Sequence, residues 1–329
     1  MRQWAAPHPV ASPRGRHVGR RPRRSRNPYT KRPSGEGDLP SLALLEQFSH
    51  RSLQQWLASA RKLNELQSAL FFGLELARQQ FSRELIEALR TNLVPGQAFD
   101  GWARIVDYRY CLAPLSVAGS LKRNGGRFNI GGSLNPAVFP PFPALYIAED
   151  YPTAFRERFG SDADVESHGL TGAELALRAP ASFTHIALRG QLELVMDLSE
   201  LRSLQPFAAV LRKFSLPDHI RRLSRQLGMR SPPFLVRSAG ALQRQLLLSD
   251  WRVLPAQFDL PSNSQVFGRI AAAAGAHGIL YPSARHAGKQ CFALFPQNWK
   301  SSASYVELRD GAPTGARLTR IDAGTTSLH

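Results

Sequence analysis

Three short sequence blocks constrain the fold of this 329-residue chain most. They place charged and aromatic side chains within a part of the chain that mixes predicted strands and helices. They are Gly125-Gly126-Arg127-Phe128-Asn129, then Leu145-Tyr146-Ile147-Ala148-Glu149 running on to Glu157, then Tyr281-Pro282-Ser283-Ala284-Arg285. Their patterns predict a turn, a strand followed by a helix, and a second strand. Together they gather an arginine, a tyrosine, a carboxylate and a serine, which suit the binding and cleavage of a phosphorylated nucleotide.

The first block joins flexible backbone to a cation. Glycine adopts backbone angles that other residues resist and lets the chain approach a ligand closely. A guanidinium beside such glycines can bind phosphate oxygens through two parallel hydrogen bonds. Arg127 is therefore a candidate phosphate-binding residue, although the block taken alone also fits a glycine-rich hairpin with a solvated arginine.

The second block predicts a strand over residues 144–148 and a helix that begins near Pro152, since proline suits the first helical turn. Tyr146 near the end of the strand and Glu157 on the helix are then able to face one cleft. The alternatives are a core aromatic for Tyr146 and, for Glu157, a solvated carboxylate paired with Arg156 or Arg158.

The third block predicts a buried strand that is broken at Pro282, so that Ser283 lies in a turn. A serine hydroxyl at such a position can orient a ribose or a water. No G-x-S-x-G elbow occurs, and no histidine has the spacing of an acyl-transfer triad. We expect structural or surface roles for His277 and His286.

Composition excludes several protein classes. Cys111 and Cys291 lie far apart without metal-ligand spacing, so we expect neither a metal site nor a disulfide framework. No apolar run approaches the roughly 18 residues that span a bilayer, and no apolar segment follows the basic N-terminus as in a signal peptide. These patterns indicate a soluble cytoplasmic protein without a membrane partner.

The basic charge is concentrated at the N-terminus. Residues 1–36 hold nine arginines and Lys31 against Glu36, which is about half of the formal net charge of +17. We expect residues 1–37 to be a disordered tail, because they contain too few apolar residues to offset the entropy of ordering. The tail either makes nonspecific contacts with nucleic acid or is a charged segment without a specific partner.

The rest of the chain divides into three parts. Apolar residues recur at spacings of three and four after Asp38, which predicts a helical extension over residues 38–98 that packs on the following domain. Residues 99–310 mix short β-rich and helical segments without steady βα alternation, so the expected fold class is α+β. Residues 311–329 are expected to form a flexible C-terminal tail.

The combined blocks resemble the RES-domain family, named for an arginine, a glutamate and a serine. The resemblance runs from about Trp102 to Leu308. The chain differs from compact members of the family in a long proline-rich loop over residues 135–143 and in the helical extension. The matching positions are Arg109 in Asp107-Tyr108-Arg109-Tyr110, Arg127, Tyr146, Glu157 and Ser283. This resemblance implies a compact fold similar to ADP-ribosyltransferases, with NAD⁺ bound in a cleft as substrate and no separate cofactor.

The resemblance also implies a role for each residue. Arg109 and Arg127 would hold the pyrophosphate, and Tyr146 would stack on the nicotinamide ring. Glu157 would stabilise the positive charge that develops on the ribose. Ser283 would position the ribose or the amide, with Arg285 as a helper, and the catalytic set is Glu157, Ser283 and Arg109.

The resemblance implies two functions, and the basic tail suggests a third. The first is an NAD⁺-degrading enzyme, a glycohydrolase or phosphorylase that releases nicotinamide and acts as the toxin of a bacterial toxin-antitoxin pair with a cognate antitoxin protein. The second is a protein ADP-ribosyltransferase that uses the same cleft. The third is a nucleic-acid-binding protein that keeps an inactive RES fold and uses its basic tail.

Overall fold

The structure is a computed structural model, and it describes residues 49–160, 166–167, 170–171, 182–229, 236–312 and 314–325. The expected basic tail and the beginning of the helical extension lie outside these residues. Within the described ranges, no helix has the length and apolar character needed to cross a membrane.

The described residues form eight α-helices and eleven strands. The helices are α1 (His50–Gln80), α2 (Ser82–Arg90), α3 (Tyr151–Phe159), α4 (Leu201–Leu211), α5 (Asp218–Gln226), α6 (Ala239–Leu246), α7 (Val253–Gln257) and α8 (Asn263–Ala273). The strands are β1 (Val94–Asp107), β2 (Gly125–Gly126), β3 (Asn129–Ile130), β4 (Leu145–Ala148), β5 (Glu166–Ser167), β6 (Leu170–Thr171), β7 (Phe183–Asp197), β8 (Gly278–Pro282), β9 (Gln290–Leu294), β10 (Tyr305–Leu308) and β11 (Arg320–Ile321).

Seven strands form one sheet in the order β1-β4-β9-β8-β7-β10-β11. Strand β1 pairs with β7 as well as with β4, so the pairings close a ring of five strands, β1–β4–β9–β8–β7. All pairs in the sheet are antiparallel except β7 with β8. The chain is therefore a mixture of helices with one mostly antiparallel sheet, in agreement with the α+β expectation.

Strand β7 is longer than the sequence pattern predicts. The pattern indicates two short β-rich segments over residues 184–188 and 192–197. The structure instead runs through Gly190, where an added Cβ would clash with the Tyr305 carbonyl oxygen and lie 2.6 Å from the Phe99 ring. The glycine is thus required by close approach of neighbouring strands within the sheet.

The helical extension packs on the sheet domain through its C-terminal part. Leu66, Leu70 and Leu74 of α1 and Leu85 of α2 belong to the same buried cluster as residues of α4, α6 and α8. The first half of α1 is different, since Trp56 and Leu57 remain 55% and 60% exposed. The strand that follows begins at Val94, so residues 94–98 belong to the sheet and not to the helical extension.

The two departures from compact members of the resembled family contact each other. Phe139 of the proline-rich loop packs edge-on against Phe71 of α1, with ring centroids 5.4 Å apart. Ile130, directly after the glycine-rich block, belongs to the same small core. Helix α1 therefore supports the loop that lies next to this block.

The C-terminal part differs from the expected flexible tail. Strand β11 pairs with β10 through Val306 and Ile321, and Ile321 is completely buried. The backbone N–H of Arg317 also donates to the Leu112 carbonyl at 2.6 Å. The sheet consequently extends to residue 321, because one buried apolar side chain fixes a strand too short to show periodicity.

Candidate active site

The glycine-rich block forms a small hairpin of β2 and β3, in which Gly126 pairs with Asn129. The buried Asn129 side chain donates to the carbonyls of Ser120 and Phe142 at 2.8 and 2.9 Å. Its Oδ1 accepts from the Gly126 N–H and from the Tyr146 hydroxyl, both at 2.9 Å. All four hydrogen bonds of the amide are therefore made, and they fix the hairpin.

Tyr146 at the middle of β4 lies directly on the hairpin. Its hydroxyl also accepts from the Phe128 N–H at 2.9 Å. A Cβ on Gly126 would clash with ring carbons of Tyr146, so only glycine allows this contact. Burial raises the pKa of Tyr146 and outweighs the opposing hydrogen bonds and nearby arginines, so the phenol stays protonated.

Helix α8 also holds the hairpin. Gln265 Nε2 donates to the carbonyls of Asn124, Gly126 and Asn129 at 2.6, 3.1 and 2.9 Å. A Cβ on Gly268 would clash with the Phe128 carbonyl oxygen, so the helix backbone rests on the hairpin. The backbone around Arg127 is thus fixed by Tyr146 and by α8.

Arg127 is 7% exposed, and its guanidinium reaches the C-terminal end of α6. Nη1 donates to the carbonyls of Leu246 and Leu248 at 3.2 and 2.7 Å. Such carbonyls carry the partial negative charge of a helix C-terminus, which favours a cation. Arg127 consequently fixes the loop that leaves α6, in addition to carrying a charge at the hairpin.

Ser283 and Glu157 meet at the end of β8. Ser283 Oγ donates to Glu157 Oε1 at 2.6 Å. The same oxygen accepts from the backbone N–H groups of Arg285 and His286 at 3.2 and 3.0 Å. Two acceptor positions of the serine oxygen are therefore occupied, and its proton is directed at the carboxylate.

Arg285 and Arg109 lie differently around this pair. Arg285 Nη1 donates to the carbonyls of Arg156 and Glu157 at 3.0 and 3.3 Å, which caps the C-terminus of α3. Arg109 is exposed, bonds Asp107 at 3.4 Å and lies over the Tyr110 ring. Among the described residues, the structure does not bring Arg109 into hydrogen-bond contact with Glu157 or Ser283, and its role stays a prediction.

Arg252 is a candidate site residue that the sequence did not reveal. Partial burial lowers the pKa of its guanidinium, the charges of Arg285 and Arg127 lower it further, and Glu157 and Tyr146 raise it. The charges that act on Arg252 thus belong to residues of the three blocks. The guanidinium also stacks on the Trp251 ring, 4.5 Å from the centroid. No periodicity or motif marks the loop between α6 and α7 that carries Arg252. The structure connects this loop to the candidate site through the hydrogen bonds of Arg127.

The remaining groups near the pair are kept uncharged. Burial raises the pKa of the Cys291 thiol, and the negative charge of Glu157 adds to this rise. Burial likewise raises the pKa of Tyr281, which pairs with Cys291 across β8 and β9. A thiolate nucleophile is therefore disfavoured here.

A family model for the RES domain matches residues 101–314. The chain belongs to the RES-domain family. This range contains the hairpin, α3 and the β8 turn, so the RES domain includes the whole candidate site. Within the described residues, no group of three or more His, Cys, Asp or Glu side chains is arranged to hold a metal ion.

None of the curated proteins matches this RES-domain protein. Among solved structures, a chain from the crystal structure of the M. tuberculosis MbcT-MbcA toxin-antitoxin complex is similar at 14% identity with a TM-score of 0.38. The match covers 74% of the present chain and 96% of that chain.

Proposed function

We propose that this RES-domain protein cleaves NAD⁺ in an ADP-ribosyltransferase-like cleft, releases nicotinamide, and acts as the toxin of a toxin-antitoxin pair. The observation that carries the proposal is the Glu157 carboxylate held by the Ser283 hydroxyl at the end of β8, whose negative charge also acts on Arg252. NAD⁺ offers the complementary charges, an anionic pyrophosphate for arginines and a cationic nicotinamide ribose for a carboxylate.

Cleavage breaks the bond between the ribose C1′ and the nicotinamide nitrogen. The bonding electrons leave with nicotinamide, and positive charge develops on the ribose. Glu157 stabilises that charge and accepts hydrogen bonds from ribose hydroxyls, which favours the transition state over the bound substrate. An oxygen of water or inorganic phosphate then bonds to C1′, and the attacking molecule loses its proton to solvent.

Each arginine has its own part in this proposal. Arg127 and Arg252 bind the pyrophosphate, and Arg109 approaches it from the end of β1. Tyr146, whose hydroxyl holds the hairpin, presents its ring to the nicotinamide. Arg285 keeps the C-terminus of α3, and with it Glu157, against the Ser283 turn.

The test is nicotinamide release from NAD⁺ by the purified protein, with and without inorganic phosphate, beside the Glu157→Gln variant. Release that requires Glu157 is expected, and a dependence on phosphate identifies phosphorolysis. Nicotinamide that appears only after a protein acceptor is added would identify an ADP-ribosyltransferase instead. A folded protein that releases no nicotinamide under any of these conditions contradicts the proposal.

The proposal includes a cognate antitoxin, which the family resemblance implies. The simplest inhibition is a partner segment that fills the cleft or holds the loop over residues 135–143 closed. This loop packs on α1 through the contact of Phe139 with Phe71, which holds it next to the hairpin. A co-purified complex that degrades NAD⁺ at the full rate of the free enzyme contradicts this part.

A further inference from the structure

The turn over residues 283–289 is attached to α3 along the whole length of the helix. At the helix N-terminus, Lys289 Nζ bonds Glu149 Oε1 at 2.9 Å and Asp150 Oδ2 at 2.8 Å. At the C-terminus, Ser283 binds Glu157 at 2.6 Å. Between these ends, the ring of His286 lies 2.7 Å from the Thr153 hydroxyl.

The count of available protons fixes the direction of the central hydrogen bond. Thr153 Oγ1 lies 2.6 Å from Asp150 Oδ1, which also accepts from the Thr153 N–H at 2.8 Å as the helix N-cap. Although partial burial opposes it, hydrogen bonds from Lys289 and Thr153 lower the pKa of Asp150 to about 2, so this group is an acceptor at neutral pH. The single hydroxyl proton of Thr153 is thus donated to Asp150. His286 Nδ1 must then carry the proton that it shares with Thr153.

The backbone of His286 is part of the Ser283–Glu157 arrangement. Its N–H donates to Ser283 Oγ at 3.0 Å, which leaves the serine proton for Glu157. A displacement of the His286 backbone therefore changes the acceptor geometry of Ser283, and through it the orientation of the Glu157 carboxylate.

We propose that His286 is a positioning residue, whose Nδ1–H bond to Thr153 holds Ser283 and Glu157 in their productive geometry. The kinetic part of this inference rests on the proposed NAD⁺ cleavage, whereas its structural part does not. The residue acts through the turn and has no contact with the reacting atoms.

The structural part is tested by the ring nitrogens of His286 in a ¹⁵N NMR spectrum of the full chain at pH 8, assigned by comparison with His286→Ala. We expect the Nδ1–H tautomer in the unmodified protein, whereas Thr153→Val, which keeps the backbone N–H for Asp150, should release this preference. An Nε2–H tautomer in the unmodified protein would overturn the inference, whether or not NAD⁺ is cleaved.

The kinetic part compares His286→Ala with His286→Asn. We expect the alanine variant to lower kcat about tenfold or more with KM nearly unchanged, since misplaced catalytic groups cost rate steeply. Asparagine should restore most of kcat, because its amide can donate to Thr153 in place of Nδ1–H. Thr153→Val should resemble the alanine variant, and the double variant should be no slower than either single variant.

The control is His219→Ala, an exposed histidine on α5. It should leave kcat unchanged. An alanine variant of His286 with full kcat, or an asparagine variant as slow as alanine, would refute the positioning role. If neither the unmodified protein nor any variant releases nicotinamide, the proposed function fails. The NMR result then still decides whether His286 Nδ1–H is bonded to Thr153.

Discussion

Ser283 Oγ donates a hydrogen bond of 2.6 Å to Glu157 Oε1, and these residues are 126 positions apart in the chain. The bond joins the turn after β8 to the last helical turn of α3. It holds one oxygen of the carboxylate, and so it sets the rotation of the group that we assign to transition-state stabilisation. Turnover should therefore depend on that carboxylate, and substrate binding on Arg127 and Arg252.

Glu157→Gln should reduce the turnover of NAD⁺ at least tenfold, which is about 1.4 kcal/mol of barrier, while the protein stays folded. Glutamine keeps the size and an acceptor for Ser283, but it lacks the negative charge that counts most in the transition state. The measurement is kcat for nicotinamide release together with the thermal midpoint. The control is Glu87→Gln, because Glu87 is an exposed glutamate that pairs with Arg90 on α2. Equal turnover in the two variants would remove Glu157 from the mechanism.

Arg252→Ala should weaken the binding of ADP-ribose by about tenfold to a hundredfold, because a charge-assisted hydrogen bond is worth about 1.5–3 kcal/mol. Binding measured by calorimetry tests this without requiring turnover. Nicotinamide alone should bind equally to both proteins, since it lacks phosphates. The matched control is Arg244→Ala, an exposed arginine on α6. If the two arginine variants bind ADP-ribose alike, Arg252 does not contact the phosphates.

Sequence periodicity predicted the elements that carry the site better than the elements that connect them. The α3 helix and strands β4 and β8 appear within about one residue of their expected bounds, because each has a buried face and clear end signals. The first residues of β1 lie within the range predicted for the helical extension, because Pro95 and Gly96 are typical of the end of a helix. Those residues lie where β1 pairs with β7, and a strand there tolerates a proline that donates no hydrogen bond.

The candidate site shows the same division. Local motifs contain four of the candidate residues and made them predictable from the sequence: Arg127, Tyr146, Glu157 and Ser283. Their roles remain predictions. The alternative for the glycine-rich block is right about the hairpin and wrong about a solvated arginine, because Arg127 is buried. Arg252 and the hydrogen bond between His286 and Thr153 depend on contacts between distant segments, which local sequence patterns do not encode.

Gly268→Ala should destabilise the protein by about 1–3 kcal/mol, the usual cost of inserting a methyl group into a filled core. The new Cβ would clash with the Phe128 carbonyl oxygen, so α8 must move away from the hairpin. Gly119→Ala is the matched control, because nothing lies within 4 Å of its Cβ. Urea unfolding of both variants measures the free energies of unfolding. An equal decrease in the free energy of unfolding in both variants would show that α8 and the hairpin are not closely packed.

Asp150→Asn should change how stability depends on acid. Partial burial raises the pKa of Asp150, but hydrogen bonds from Lys289 and Thr153 outweigh it and lower the folded pKa from 3.8 to about 2. A lowered carboxyl pKa contributes stability that is present above the unfolded pKa and is lost as the pH falls through the folded pKa. Asparagine remains a good helix N-cap but has no charge for Lys289.

The variant should therefore be less stable than the unmodified protein at pH 6, and this difference should shrink between about pH 4 and pH 2. Free energies of unfolding by urea at pH 6, 4 and 2.5 measure it. Lys289→Gln, which removes the same ion pair from the other side, should reduce the acid dependence in the same direction. A difference between Asp150→Asn and the unmodified protein that stays constant down to pH 2.5 would mean that the Asp150 carboxylate is not held by these partners.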